Sequence, residues 1–157
     1  MAQRRERILH FAGRRAMDVE GLGDKLVDQL VTANLIGTPA DVYGLEVATL
    51  EGLDRMGSKS AEKIVKAIER SKATSLARFL FALGIRDVGE STAAALARHF
   101  GSIEALIAAD AAAIQQVPDV GPVVAARVVE FFADPANLDV VQRLRGAGVH
   151  WPAEAPG

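Results

Sequence analysis

The chain of 157 residues contains no cysteine. A disulfide and a thiolate metal site are therefore both excluded. Histidine is scarce as well, since the sequence holds only His10, His99 and His150, far from one another, and we expect no bound metal. No apolar run approaches the roughly 20 residues that a membrane-spanning helix needs, and the arginine-rich start lacks the apolar segment of a secretory signal. We therefore expect a cytoplasmic protein with no membrane partner.

Charge is nearly balanced overall but unevenly distributed along the chain. The formal net charge is −2, whereas domains that bind nucleic acid are usually basic. Between Arg55 and Arg78, however, seven cations stand against two acids, while from Gly101 onward three arginines stand against seven acids. Such a run is as typical of a solvated helix face as of a binding surface. The asymmetry indicates one basic face.

The sequence does contain a five-residue pattern, here called a phrase, that occurs four times. The phrases are Val-Glu-Gly-Leu-Gly at 19–23, Leu-Asp-Arg-Met-Gly at 53–57, Ile-Arg-Asp-Val-Gly at 85–89 and Val-Pro-Asp-Val-Gly at 117–121. The closing glycines lie 34, 32 and 32 residues apart, a period that accommodates one pair of helices per repeat. Each phrase is typical of a tight connection that ends one helix and begins the next.

The segments between the phrases have helical spacing of apolar residues. This spacing predicts helices over 3–13 and 24–34, and Thr38 and Ser102 are predicted N-caps. Residues 38–61 superpose on residues 102–125 without a gap, and their apolar positions coincide.

We therefore predict an all-α fold built from two tandem units of two hairpins each. The predicted divisions are an N-terminal helix over 1–18, a first unit over 19–72, a second unit over 73–151 and a disordered linker over 152–157.

Each phrase also has the chemistry of an anion site. A closing glycine leaves the amides at the start of the following helix uncovered, and the helix dipole adds positive potential there. The apolar residue before the glycine is expected to pin the turn to the core. A phosphate fits this geometry, and contacts to backbone phosphates position a protein on a duplex without reading its sequence.

The four turns are not equivalent. Only the first has glycine in the middle of the turn, Gly21, where the others carry Arg55, Asp87 and Asp119. Asp tolerates positive φ, but an acid beside a phosphate weakens binding, and we expect Arg86 to compensate for Asp87. The turns closed by Gly23 and Gly57 are therefore the stronger phosphate candidates.

Two lysines occupy matching positions in the first two repeats. Lys25 and Lys59 each lie two residues past a closing glycine, where they are expected to reach the same phosphate as the turn. A freely solvated side chain is the alternative for each of them.

The phrases, with alanine four residues after three of them, resemble the helix-hairpin-helix motif of DNA-binding proteins. Paired motifs of this kind form compact five-helix units. More specifically, essentially the whole chain is similar to the helix-hairpin-helix domain of bacterial NAD-dependent DNA ligases. The matching segments are residues 2–8, 10–23, 76–89, 117–124 and 148–151. The stretch His-Phe-Ala-Gly-Arg-Arg-Ala-Met-Asp-Val-Glu-Gly-Leu-Gly at 10–23 is far more specific than a lone hairpin.

The resemblance implies a fragment of a larger enzyme. In that family the domain follows a four-cysteine zinc module and precedes a BRCT domain, while the adenylated lysine sits in a separate nucleotidyltransferase domain. NAD, magnesium and zinc would belong to the parent enzyme, so this chain is expected to bind no cofactor and to be inactive alone. Its implied task is to grip nicked double-stranded DNA through minor-groove phosphates, as a monomer, while other domains of the same ligase chain close around the DNA.

The predicted DNA-binding residues are those of the turns and the helix starts that follow them. They are Gly21, Gly23, Lys25, Arg55, Gly57, Ser58, Lys59, Arg86, Gly89, Ser91, Gly121 and Val123. No catalytic residue and no metal ligand is predicted.

Two other functions remain open from the sequence. Base-excision glycosylases carry the same hairpin with a lysine two residues past its glycine, as at Lys25 and Lys59, but a catalytic aspartate in a separate Gly/Pro-rich turn is absent here. A protein-docking module is the second alternative, because one helical fold serves different partners.

Overall fold

The computed structural model describes residues 2–153, and helices connected by short turns make up most of this range. The helices are α1 Ala2–Ala12, α2 Asp24–Thr32, a 3₁₀ helix Pro39–Gly44, α3 Val47–Glu51, α4 Ser58–Ser71, α5 Leu76–Ala82, α6 Glu90–Phe100, α7 Ile103–Ala108, α8 Ala111–Ile114, α9 Pro122–Ala133 and α10 Pro135–Gly146. Extended pairing within the described range is limited to an isolated bridge between Ala73 and His150. The predicted all-α fold is confirmed.

The four phrases connect four pairs of helices, which we number as hairpins 1 to 4. Hairpin 1 joins α1 to α2, hairpin 2 joins α3 to α4, hairpin 3 joins α5 to α6, and hairpin 4 joins α8 to α9. The second helix of each pair begins directly after the closing glycine of the phrase. Of the predicted linker, Pro152 and Ala153 have no regular structure, and residues 154–157 lie outside the described residues.

The second helices of the hairpins bury matching positions. Ala61, Ala93 and Ala125, each four residues beyond its glycine, are fully buried, as is Val27 at the same place in hairpin 1. Seven residues beyond the glycines lie Leu30, Ile64, Leu96 and Val128, which are also buried. Small residues at a helix crossing allow the axes to approach closely, and the repeat therefore specifies the packing as well as the turns.

The two halves of the chain share one hydrophobic core. It is a single cluster of buried side chains that extends from Ile8 in α1 to Val149 after α10. Helix α10 packs against the 3₁₀ helix of the first half. At this contact Arg143 donates a hydrogen bond of 2.7 Å to the carboxylate of Asp41, whose other oxygen accepts from the amides of Gly37 and Thr38. Asp41 thus stabilises both the start of the 3₁₀ helix and the contact between the two halves.

The end of the described chain returns to the connection between α4 and α5. The amide of His150 donates to the carbonyl of Lys72 at 2.8 Å, and the amide of Thr74 donates to the carbonyl of His150 at 3.0 Å. Trp151 then packs against Phe79, with ring centroids 4.8 Å apart. These bonds fix the segment between the two halves.

The carboxylate of Asp41 makes stability depend on pH. Burial acts to raise the pKa of Asp41, but the hydrogen bonds from Arg143, Gly37 and Thr38 outweigh it and hold the pKa below its usual value. A carboxylate with a depressed pKa stabilises the fold above its unfolded-state pKa, and this stabilisation is lost as the pH falls through the folded-state pKa. We therefore expect Asp41→Asn to lower the melting temperature at pH 7, and the difference from wild type to shrink below about pH 4.

Thermal unfolding at pH 7, 5 and 3 measures this effect. Asp28→Asn is the matched control, because Asp28 is exposed on α2 and forms no ion pair within residues 2–153. A deficit for Asp41→Asn that is equally large at pH 3 and pH 7 would contradict the assignment.

Candidate nucleic-acid interface

Each of the four phrases contains one residue with a left-handed backbone. The φ angles are +93° at Gly21, +63° at Arg55, +68° at Asp87 and +67° at Asp119. L-residues rarely adopt this region, with Asp among the more tolerant, and the expectation that an aspartate supports the turn is confirmed. Arg55 adopts the same conformation without that intrinsic tolerance, which shows that the surrounding hairpin enforces it.

The residue after the left-handed position anchors the turn. Leu22, Val88 and Val120 are buried, and Met56 is half-buried against the core. The closing glycine that follows is exposed in every hairpin. An inward apolar residue followed by an outward glycine therefore presents the start of the next helix to solvent, as the sequence predicts.

The fold itself gives no reason for glycine at the closing positions. Gly23, Gly57, Gly89 and Gly121 have φ between −99° and −89° with extended ψ, a conformation that any residue adopts. A Cβ atom built on any of them meets no heavy atom within 4 Å. Neither backbone strain nor packing excludes a side chain there, and the open space is on the side that faces solvent.

Four of the helices that start elsewhere have a side-chain cap, whereas α3, which follows Glu46, has none. Side-chain oxygens of Ser75, Ser102, Asp110 and Asp134 each accept a hydrogen bond from an amide in the first turn of the following helix. None of the four closing glycines supplies such a bond. Because the first amides of a helix have no intrahelical partner, the hairpin helices present donors that the four capped starts partly satisfy. This is the geometry of an anion site.

Hairpin 4 has the weakest donor set. Its helix begins with Pro122, which has no amide hydrogen. Val123 is 61% exposed at the position that Lys25 and Lys59 occupy in hairpins 1 and 2. Together with Asp119 in the turn, these residues make hairpin 4 poor at holding an anion.

Hairpin 2 has the most favourable charges. Arg55 and Lys59 are exposed on either side of Gly57, and the helix begins with the neutral Ser58. Hairpins 1 and 3 instead place Asp24 and Glu90 directly after the closing glycine, where a carboxylate competes with an external anion for the helix start.

The acids of hairpin 3 are paired within the protein. Asp87 accepts a hydrogen bond of 3.2 Å from Arg127 of α9, and Glu90 pairs with Arg15 at 3.2 Å. Arg86 forms no ion pair in the described part of the chain, so the expected compensation of Asp87 comes from Arg127 instead. Sequence reasoning missed Arg127 and Arg15, although Arg127 was detectable, because it lies 64 residues after Lys63, the shift that superposes the repeats.

All of the predicted DNA-binding residues lie on the surface. The exposed set is Gly21, Gly23, Lys25, Arg55, Gly57, Ser58, Lys59, Arg86, Gly89, Ser91, Gly121 and Val123. Contacts also connect the hairpins in two pairs. Gln29 of α2 donates to the carbonyl of Asp54 in hairpin 2 at 3.5 Å, and the ion pair of Asp87 with Arg127 joins hairpin 3 to hairpin 4.

Neither a metal site nor a membrane-spanning helix is found among the described residues. Within residues 2–153, no three His, Asp or Glu side chains gather in a group that would hold a metal ion. The helices in that range are also too short or too polar to cross a membrane.

Comparison with protein families gives two matches, one in each half. A family model described as a SAM-like helix-hairpin-helix tandem matches residues 14–70. A second, described as a helix-hairpin-helix motif, matches residues 78–141. The matches support a helix-hairpin-helix domain with motifs in two tandem regions. Such motifs indicate DNA binding that is not specific for sequence, in agreement with the exposed turns.

The open space at Gly57 leads to a test that separates folding from binding. Gly57→Ser adds a side chain that the fold accommodates and that is a better N-cap than glycine by a few tenths of a kcal/mol. We expect an unchanged or slightly higher melting temperature. We also expect affinity for duplex DNA to fall roughly tenfold, since the loss of one hydrogen bond to a charged group costs about 1.5 kcal/mol.

Fluorescence anisotropy with a labelled duplex measures the affinity. Gly146→Ser is the control, because its Cβ also enters open space but lies outside the hairpin turns. Equal affinities for the two variants would remove the case for contact at the hairpin 2 turn.

Because Asp87 is paired with Arg127, a substitution of Asp87 is expected to raise the affinity for DNA. Asp87→Asn keeps a residue that tolerates positive φ, removes one negative charge and releases Arg127. We expect DNA affinity to rise about threefold or more, while stability falls by less than about 1 kcal/mol because the pair is solvent-exposed. Asp119→Asn removes the same charge from a turn of the same conformation without releasing an arginine, and a smaller gain is expected. Identical gains would show that Arg127 adds nothing once it is free.

Proposed function

We propose that this chain is the DNA-binding domain of a bacterial NAD-dependent DNA ligase. In this role it grips backbone phosphates of nicked duplex in the minor groove while other domains of the same ligase chain close around the DNA and seal the nick in replication and repair. The resemblance of residues 10–23 and 76–89 to that family directs the proposal to ligases. NAD, magnesium and zinc are held by those other domains, and this chain acts as a cytoplasmic monomer that is inactive alone.

One observation supports the DNA-binding part above the others. Helices α2, α4, α6 and α9 each begin after a glycine that supplies no side-chain cap and that leaves the space before the helix open. A ligand with regularly repeated phosphates suits several such turns better than a single small anion does. Because the donors are backbone amides, the expected contacts are to phosphates and not to base edges, and binding is independent of sequence.

Salt-dependent titration of nicked and intact duplex tests the proposal. Counterion release predicts that log K falls linearly with log salt, with a slope of roughly −0.9 for each neutralised phosphate. We expect the nicked duplex to bind at least as tightly as the intact one, and two unrelated sequences to bind equally. Lys59→Ala is expected to lower the affinity and to reduce the magnitude of the slope by roughly 0.9.

The control for Lys59 is Arg98→Ala, which removes an exposed cation of α6 outside the turns. A slope for Lys59→Ala that equals that of the wild type would show that Lys59 is a solvated side chain. Rejection of the nicked duplex would contradict the ligase role. Absence of DNA binding at low salt would overturn the proposal and favour a protein-docking module.

A further inference from the structure

Four cations form a stripe along helix α4. Lys59, Lys63, Lys66 and Arg70 follow one another at intervals of four, three and four residues, which places them on one face of the helix. All four are exposed, and none forms an ion pair within residues 2–153. At 1.5 Å per residue the stripe is about 16 Å long. It begins at the hairpin 2 turn.

The stripe borders a groove beside hairpin 1. Gly21, Lys63, Lys66 and Arg70 line a cavity of about 500 Å³, in which Glu20 is the one acid. A second cavity of about 860 Å³ adjoins it, shares Glu20 and Arg70 with it, and adds Arg14 and Arg78 together with Asp18. The cations therefore continue from the hairpin 2 turn, past the hairpin 1 turn, to the connection between the halves.

The second half of the chain provides an internal comparison, because α9 is the counterpart of α4 after a shift of 64 residues. The corresponding pairs are Arg55 with Asp119, Lys59 with Val123, Lys63 with Arg127, Lys66 with Glu130 and Arg70 with Asp134. Five positive charges in the first half thus correspond to one positive and three negative charges in the second. The corresponding pairs Ala61 and Ala125, Ile64 and Val128, and Ile68 and Phe132 are buried and apolar in both helices, so the change of charge is on the outer face.

Arg127, the counterpart of Lys63, is paired with carboxylates within the protein. Arg127 bonds to Asp87 at 3.2 Å and approaches Glu130 at 3.7 Å. In the first half the residues at these two places are Gly21 and Lys66, neither of which carries a carboxylate, and Glu20 is the one acid that lines the groove beside Lys63. The same position is therefore satisfied internally in hairpin 4 and is left for an external anion in hairpin 2.

We infer that the groove along α4 holds the phosphate backbone of one DNA strand as it continues from the hairpin 2 turn, with Lys63, Lys66 and Arg70 as successive phosphate contacts. This inference rests on the proposed DNA-binding function and assigns the longer contact to the first half of the chain. The start of the stripe at a helix N-terminus that itself suits phosphate favours a continuous strand over an acidic peptide.

The test compares two double variants of equal net charge. Lys63→Gln/Lys66→Gln removes two groove cations, and Arg4→Gln/Arg98→Gln removes two exposed cations of α1 and α6 that form no ion pair among the described residues. With a duplex of about 20 base pairs, we expect the groove variant to lose roughly tenfold or more in affinity. Its salt slope should fall by roughly 1.8 in magnitude, or 0.9 per phosphate, while the control variant stays close to wild type.

The outcomes separate this inference from the proposed function. Equal losses in the two double variants would show a general effect of charge and overturn the groove, even if Gly57→Ser still weakens binding and the hairpin function stands. Failure of the wild-type chain to bind duplex would overturn both. Melting temperatures within a degree or two of wild type are expected for both variants, because exposed cations without partners contribute little to stability.

Discussion

A single left-handed residue in each phrase determines how the helix that follows is presented to its surroundings. At Gly21, Arg55, Asp87 and Asp119 the positive φ reverses the chain within a few residues. This reversal sends the next side chain into the core and leaves the closing glycine at the surface. The geometry is therefore fixed by the turn, whereas its affinity for an anion is set by the charges around it.

Local features of the fold were predictable from the sequence because they depend on neighbouring residues. The spacing of the phrases located the starts of α2, α4, α6 and α9 directly after their glycines, and Ser102 was correctly predicted as a cap. The contacts that join distant segments were not predictable in this way. Asp41 and Arg143 are separated by 102 residues and meet only because α10 packs on the 3₁₀ helix. No local spacing encodes that packing.

The same distinction between local features and contacts of distant segments applies to the candidate site. The sequence identified the surface residues of the turns, and the structure places all of them in solvent. It did not reveal that Asp87 is neutralised by Arg127 and Glu90 by Arg15, because an ion pair between two elements requires their relative position. The basic run after Arg55 was visible as composition. Its arrangement as one stripe beside Gly21 required both the helical period of α4 and the packing of hairpin 1 against it.

The two halves show which constraints a repeated unit retains and which it can lose. Core positions such as Ala61 and Ala125 remain small and buried because a larger residue would separate the crossing helices. Outer positions carry no such packing requirement, and there Lys66 corresponds to Glu130 and Arg70 to Asp134. In the second half, Asp87 and Glu90 pair with arginines inside the protein, which removes both members of each pair from an external anion. In the first half, the four cations of the stripe along α4 form no ion pair within residues 2–153. The two similar halves therefore differ in the charge of their outer faces, and this difference gives a near-neutral chain a local attraction for phosphate that its net charge does not show.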